Sequence, residues 1–364
     1  MRKSSTSKGL RALAMLAVAG GLNAARQQRR DHASSGATSG DGQSPHHAET
    51  PSELPRRGWM DVLKRTYAEI TNDHVMLVAA GVTFYALLAL FPALAALVSI
   101  YGLFADPATI QEHITALEGV LPGGAMEIIS GQLESLAAQG STGLGLAFVF
   151  GLGTSLWSAN AGVKSIFEAL NIAYEEDETR SFVKLTLTSL AFTLGGLVFV
   201  IVALGAVLVV PALLQNMAFG AQLEMLVNWL RWPVLLVVVT GLIALLYRYG
   251  PAREPPEWRW VSWGSGLAAV LWLVFSGLFS WYAANFGSYD ATYGSLGAAI
   301  GFMTWIWIST IVVVTGAELN SELEHETTAD TTTGPEKPMG ARGAVMADRA
   351  AGGPKRARGR GDKL

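Results

Sequence analysis

Long stretches without charge alternate with short charged and polar ones through most of this chain. Between Asp73 and Asp106 only His74 could carry a charge, and no Asp, Glu, Lys or Arg interrupts 185–223, 260–289 or 291–317. A helix needs roughly 20 apolar residues to cross the hydrocarbon core of a bilayer, and each window supplies them. The pattern predicts an all-α, polytopic membrane bundle of six transmembrane helices, at about 75–103, 143–163, 185–214, 229–248, 261–285 and 293–319. Pro92 falls inside the first span and is expected to kink it, because it removes a backbone donor and crowds the preceding turn.

The segments between the spans carry their own periodicities. Trp59, Val62, Leu63, Thr66, Tyr67 and Ile70 recur at helical spacing, with Asp61, Lys64, Arg65 and Glu69 elsewhere, which predicts an interfacial helix leading into the first span. In the loop 104–142, Ile110, Ile114, Leu117 and Leu121 precede the break Pro122-Gly-Gly124, and Met126, Ile129, Leu133 and Leu136 follow it. Two short amphipathic helices are expected there.

Charge fixes the expected topology. Of the 26 Lys and Arg, only Arg231 falls in a segment assigned outside, and the loop 104–142 carries five acids and no base. Cytoplasmic loops hold the excess of basic residues, so both termini are placed on the cytoplasmic side of the membrane. Residues 1–58 are read as a disordered tail, 59–322 as the membrane domain and 323–364 as a disordered basic tail ending in Lys355-Arg-Ala-Arg-Gly-Arg. The first 25 residues have a signal-like layout of basic start, apolar run and small residues. A surface segment or an upstream start is the alternative that agrees with the charge pattern.

Composition narrows the chemistry. Half the residues are hydrophobic (51%) and only 15% are charged, against about a quarter in soluble domains. With no cysteine, disulfides, thiolate nucleophiles and cysteine metal sites are excluded. The six histidines are scattered through tails and opposite sides of the membrane, and the His46-His47 pair sits in a polar tail. No cofactor or metal is expected, no specific nucleic-acid partner either, and a hydrolytic nuclease has no candidate cluster of ligands. Membrane lipids are the expected partners, with anionic headgroups at the basic tails.

Polarity at membrane depth supplies the candidate site. Asn160 and Glu318 are placed toward the cytoplasmic side, Asn285 and Asp290 toward the outside, where each is either a pathway residue or a wet helix end. Glu318 needs a cation, and Arg248 is the first choice because a guanidinium grips a carboxylate with two parallel bonds. Glu324, further along, is expected in the solvated tail. Gly294, Gly297 and Gly301 fall on one face of the sixth span, where small residues admit a neighbouring helix.

Ordered motifs then point to a family. They run from Phe84-Tyr-Ala-Leu-Leu-Ala-Leu-Phe-Pro92 through Leu121-Pro-Gly-Gly, Trp157-Ser-Ala-Asn160, Ala169-Leu-Asn171-Ile-Ala-Tyr174 and Glu178-Thr-Arg180-Ser-Phe. Tyr247-Arg-Tyr-Gly-Pro251, Trp258-Arg-Trp260, the stretch from Asn285 to Gly297 and Gly316-Ala-Glu318-Leu-Asn320 complete the set. Over residues 59–322 the chain resembles the YihY/BrkB family of bacterial membrane proteins, with Asp290 and Ala89 where that family usually has Asn and often has Ser. The resemblance implies a six-helix inner-membrane protein and names no substrate. Members have carried the label ribonuclease BN, and others are described as virulence factors. The leading expectation is a transporter-like or flippase-like protein for a lipid or small solute, not an enzyme; the alternative is an envelope scaffold, and a membrane-anchored nuclease stands last.

Overall fold

In the computed structural model the described residues are 47–102, 146–216, 221–286 and 295–351. Among them the chain is helical, with no named strand: α1 (Arg56–Asn72), α2 (Val75–Gly102), α3 (Leu146–Ala173), α4 (Phe182–Asn216), α5 (Ala221–Tyr249), α6 (Trp258–Phe286) and α7 (Ser295–His325). The amphipathic helices expected at 104–142 and the signal-like start lie outside the described residues.

The helices α2 to α7 have 28 to 35 residues each. At about 1.5 Å per residue the shortest is about 42 Å long, more than a hydrocarbon core of about 30 Å requires. Among the described residues, Val75–Leu97, Phe182–Ala203, Trp258–Tyr282 and Ala299–His325 are long and apolar enough to cross a membrane, and Pro233–Tyr249 is a shorter apolar segment. Helix α2 continues through Pro92 and α5 through Pro233.

Each helix packs mainly on one or two others, in the order α4, α3, α2, α7, α6, α5. Large apolar side chains cover the outside: Phe84, Leu88, Val202, Val237, Val274 and Leu278 are all exposed. Polar side chains lie inside, among them Thr83, Asn160, Ser189, Ser265 and Asn320. That inversion is stable only where the surrounding solvent is itself apolar.

One end of the bundle is polar, and the chain meets it repeatedly. Helices α2, α4 and α6 begin there and α3, α5 and α7 end there, as the contacts between 171–180, 250–257 and 318–326 require. Two non-glycine residues with positive φ turn the chain at this end: His74 (52°) between α1 and α2, and Glu175 (53°) after α3. The left-handed conformation costs such residues about 1–2 kcal/mol, which the surrounding contacts must hold down.

The expected interfacial stripe on α1 is divided. Val62 and Thr66 are buried, Val62 in a cluster with Leu54, Trp260, Leu319 and Leu323, while Leu63 and Tyr67 face outward with Met60. The helix therefore has one apolar side glued to the protein and another left open.

The tails also depart from expectation. Residues 48–58 and 327–350, read as disordered, are ordered against this end, with Ala48, Leu54, Thr331, Arg342, Ala344 and Ala347 buried. Residues 331–333 run antiparallel to 255–257, with Glu257 N–H donating to Thr331 O (2.9 Å) and Thr333 N–H to Pro255 O (3.0 Å). Composition misses this order because backbone hydrogen bonds and a few small buried apolar residues hold it, without a periodic apolar pattern. Residues 1–46 and 352–364 lie outside the described residues.

Candidate functional site

The last turns of α7 and the residue after it read Glu318-Leu-Asn-Ser-Glu322-Leu-Glu324-His-Glu326, and all four acids are buried. A helix C-terminus disfavours negative charge, so each carboxylate needs a cation or a donor. Arg65 on α1 supplies two pairs, Nε to Glu322 Oε2 at 2.5 Å and Nη2 to Glu326 Oε2 at 2.7 Å. Arg253 supplies the third, at 2.5 Å from Glu324, with both side chains fully buried. Thr331 Oγ1 donates to the same Glu324 oxygen, at 2.8 Å. Burial opposes the charge on Arg253, but the Glu324 carboxylate outweighs it and holds the guanidinium proton more tightly than usual.

Glu318 is different. It is 2% exposed, and its Oε1 has no hydrogen-bond partner among the described residues. The expected pair with Arg248 does not form, because Arg248 is turned the other way. Its Nη1 donates to Pro256 O, its Nε to Tyr249 Oη at 3.1 Å, and its guanidinium lies 4.6 Å from the Trp258 ring centroid. Glu324 is no solvated-tail residue but half of the buried pair with Arg253.

Among the described residues the closest helix approach is at Gly264 and Gly316. A Cβ on Gly316 would sit 2.5 Å from Tyr247 Oη and 2.6 Å from Gly264 O, and one on Gly264 would sit 2.5 Å from Asn320. At this crossing of α6 and α7, Asn320 accepts from Gly264 N–H (2.7 Å) and donates to Val261 O (3.2 Å), and Tyr247 Oη donates to Val313 O (2.5 Å). A Cβ on Gly301 would make only ordinary contact with Phe279, at 3.9 Å. Gly294 and Asp290 lie outside the described residues, as do the side-chain surroundings of Asn285 and Gly297.

Asn160 is buried, and its Oδ1 accepts from Thr193 Oγ1 at 3.1 Å across the α3–α4 seam. One turn nearer the polar end, Lys164 donates to Thr186 at 3.1 Å and lies over the rings of Trp157 and Phe182. Asn171 at the end of α3 accepts from Ala252 N–H (2.8 Å), and Arg180 donates to Gly250 O (2.8 Å), fastening two loops together.

The segment 327–350 covers this polar layer as a lid. Arg342 lies inside it, 4% exposed, donating to the carbonyls of Thr328, Ala329 and Ala347 at 2.7 to 2.8 Å and to Lys337 O at 3.3 Å. Asp348 caps the turn before it, accepting from the N–H groups of Gly340, Arg342 and Gly343. Val345 N–H donates to Glu176 Oε1 (2.7 Å), and Arg349 pairs with Glu175 (2.6 Å). Burial pushes the Glu176 carboxyl up to about 7, against the Val345 bond and Arg253. A polar cavity of about 230 Å³ lies where His47, Glu257, Arg259 and Asp330 meet. Among the described residues no group of three or more His, Asp or Glu could hold a metal.

The sequence alone does not mark Arg65, Arg253, Glu322 and Arg342 as site residues. The four acids spaced along the end of α7 were the available signal, since buried acids demand bases; Arg342, in a Thr-, Gly- and Pro-rich stretch, gave none.

An inside-out helical bundle with a capped, ion-paired polar end defines a helical membrane protein. The sequence matches the Virulence factor BrkB family over residues 66–340, and the chain belongs to that family. It is 30% identical over 272 residues to the Putative ribonuclease-like protein YfkH of Bacillus subtilis, covering 72% of this chain and 95% of that protein. It is 26% identical to a UPF0761 membrane protein of Verminephrobacter eiseniae, covering 74% of this chain and 64% of the relative. It is 29% identical to the UPF0761 membrane protein Cpha266_1653 of Chlorobium phaeobacteroides, covering 68% and 54%. The chain thus spans less than two thirds of the length of these UPF0761 relatives. No solved structure matches.

Proposed function

We propose that this protein crosses the bacterial inner membrane six times, with both termini cytoplasmic, and moves a lipid or small solute between the leaflets or faces without covalent chemistry. The observation that supports this most is the buried carboxylate of Glu318, whose Oε1 has no partner among the described residues, at the end of the bundle where the ordered segment 327–350 meets Glu324. A polar group at the edge of the hydrocarbon layer is expensive to keep, and such groups more often mark a pathway than a packing site. Asn160, Thr193, Lys164 and Thr186 extend that polarity along the α3–α4 seam. In this reading the polar end is the cytoplasmic mouth, held closed, and Asn285 and Asp290 belong to the opposite mouth.

The scaffold alternative draws on the lid's many fixed hydrogen bonds, which suit a static docking platform as well as a closed gate. The printed name of the Bacillus relative raises a ribonuclease, which would require RNA turnover by the pure protein.

The test pairs lipid and metabolite profiling of a deletion strain with flux measurements on vesicles holding the purified protein. Protein-dependent movement of the species that accumulates, lost in Glu318→Gln, supports transport. Unchanged profiles with no flux would leave the scaffold reading in its place.

A further inference from the structure

The open side of α1 has a composition that its other sides lack. Arg56, Arg57, Met60, Leu63, Lys64 and Tyr67 are all exposed, with Tyr67 at 76%, and at helical spacing they fall on one continuous side. Every charge on that side is positive. The acids of the helix, Asp61 and Glu69, lie toward its flank and its buried side and are only partly exposed; Asp61 pairs with Lys64 at 3.5 Å, and Glu69 accepts from Asn72 at 3.2 Å.

The opposite side is fully committed to the protein. Val62 is completely buried, the Trp59 ring lies tilted against Trp263 with centroids 5.1 Å apart, and Arg65 is spent on Glu322 and Glu326. The exposed bases are therefore not needed for the fold, and three large apolar side chains beside them gain nothing from water. The corner at His74 then turns the chain directly into α2, whose first exposed residues are Met76 and Leu77.

We infer that the open face of α1 is a docking surface for an anionic bilayer leaflet, the one that α2 enters. Met60, Leu63 and Tyr67 would sink to the headgroup–acyl boundary, and Arg56, Arg57 and Lys64 would meet the phosphates around them. Basic residues flanking an apolar stripe are the pattern that binds such interfaces, and each base near an anionic surface adds to the attraction.

The chain has no cysteine, so a single probe reports one position. Met60 lies about three turns before the end of α1 at Asn72, about 18 Å from it along the helix, far enough not to be placed in the membrane by α2 alone. Met60→Cys carrying an environment-sensitive fluorophore would be compared in nanodiscs of phosphatidylcholine with and without phosphatidylglycerol, using headgroup-level nitroxide lipid as quencher, with Ser52→Cys as the off-helix control. The expected result is blue-shifted emission and several-fold stronger quenching at position 60 in anionic discs only. The combined Arg56→Gln, Arg57→Gln, Lys64→Gln variant should lose most of that difference while keeping the parent melting temperature, since Arg65 is untouched. Water-like emission at position 60 in both discs would overturn the inference. So would a blue shift that follows protein concentration and not lipid charge, which would assign the face to a second copy of the chain.

Discussion

Replacing Gly316 with alanine tests the closest contact in the bundle. The new Cβ would lie 2.5 Å from Tyr247 Oη, 2.6 Å from Gly264 O and 2.8 Å from Ala268 Cβ. Carbon contacts settle at about 3.5–4.0 Å, so α6 and α7 must part by about 1 Å, and two of the three obstructing atoms cannot swing aside. Overpacking of this kind costs about 1–3 kcal/mol. Parting the helices also strains the Tyr247–Val313 bond and the two bonds of Asn320, each contributing about 1 kcal/mol. Alanine returns up to about 1 kcal/mol in helix propensity. The net loss should be about 2–4 kcal/mol, which lowers the melting temperature in detergent by about 5–10 °C. Gly301→Ala is the control: its Cβ meets Phe279 at 3.9 Å, and it should melt within about 1 kcal/mol of the parent. The assay is tryptophan emission during heating, with size-exclusion retention as a second readout. If Gly316→Ala melts with the parent while Gly301→Ala does not, the helix crossing has been placed on the wrong glycines.

Three further outcomes follow from the polar end. Arg253→Met should cost about 3–5 kcal/mol by stranding the Glu324 carboxylate, and Arg253→Met with Glu324→Leu should recover much of it in a melting series. Glu176 is raised from 4.5 to about 7 by burial, so the folded state holds its proton more firmly than the unfolded chain. The stability this gives is full below about 4.5 and is lost as pH rises through about 7, so the parent should lose more stability than Glu176→Gln between those limits in parallel melts. Arg342→Lys should loosen the lid, because an ammonium cannot reach carbonyls on several sides at once, and proteolysis between 327 and 350 should speed up several-fold.

The comparison of sequence with structure divides along physical lines. The apolar windows expected at about 75–103, 185–214, 261–285 and 293–319 overlap the four segments long and apolar enough to cross a membrane, because length and hydropathy alone decide a span. The tight crossing at Gly264 and Gly316 is not legible in the sequence, because glycine spacing shows which face is small, not which neighbour comes close; the two lie on different helices and only packing joins them. The Glu318–Arg248 pair failed for a related reason. Glu318 and Arg248 both lie near the polar end, but rotation about each helix axis turns Arg248 toward Pro256 and Trp258. The lid was invisible because Asp330, Arg342 and Asp348 organise it through backbone groups, leaving a composition that looks unstructured.

The central claim is a six-span bundle whose polar end faces the cytoplasm and is closed by its own C-terminal segment. Single cysteines at Ser52, Met339 and Thr331 test it with an impermeant thiol reagent, on intact cells and on inside-out vesicles. Ser52 and Met339 are exposed, whereas Thr331 is fully buried against Glu324. Ser52→Cys and Met339→Cys should label only in inside-out vesicles, and Thr331→Cys in neither preparation until the protein is unfolded. Labelling of Ser52→Cys or Met339→Cys on intact cells would contradict the orientation, and Thr331→Cys reacting as fast as Met339→Cys in inside-out vesicles would contradict the closure.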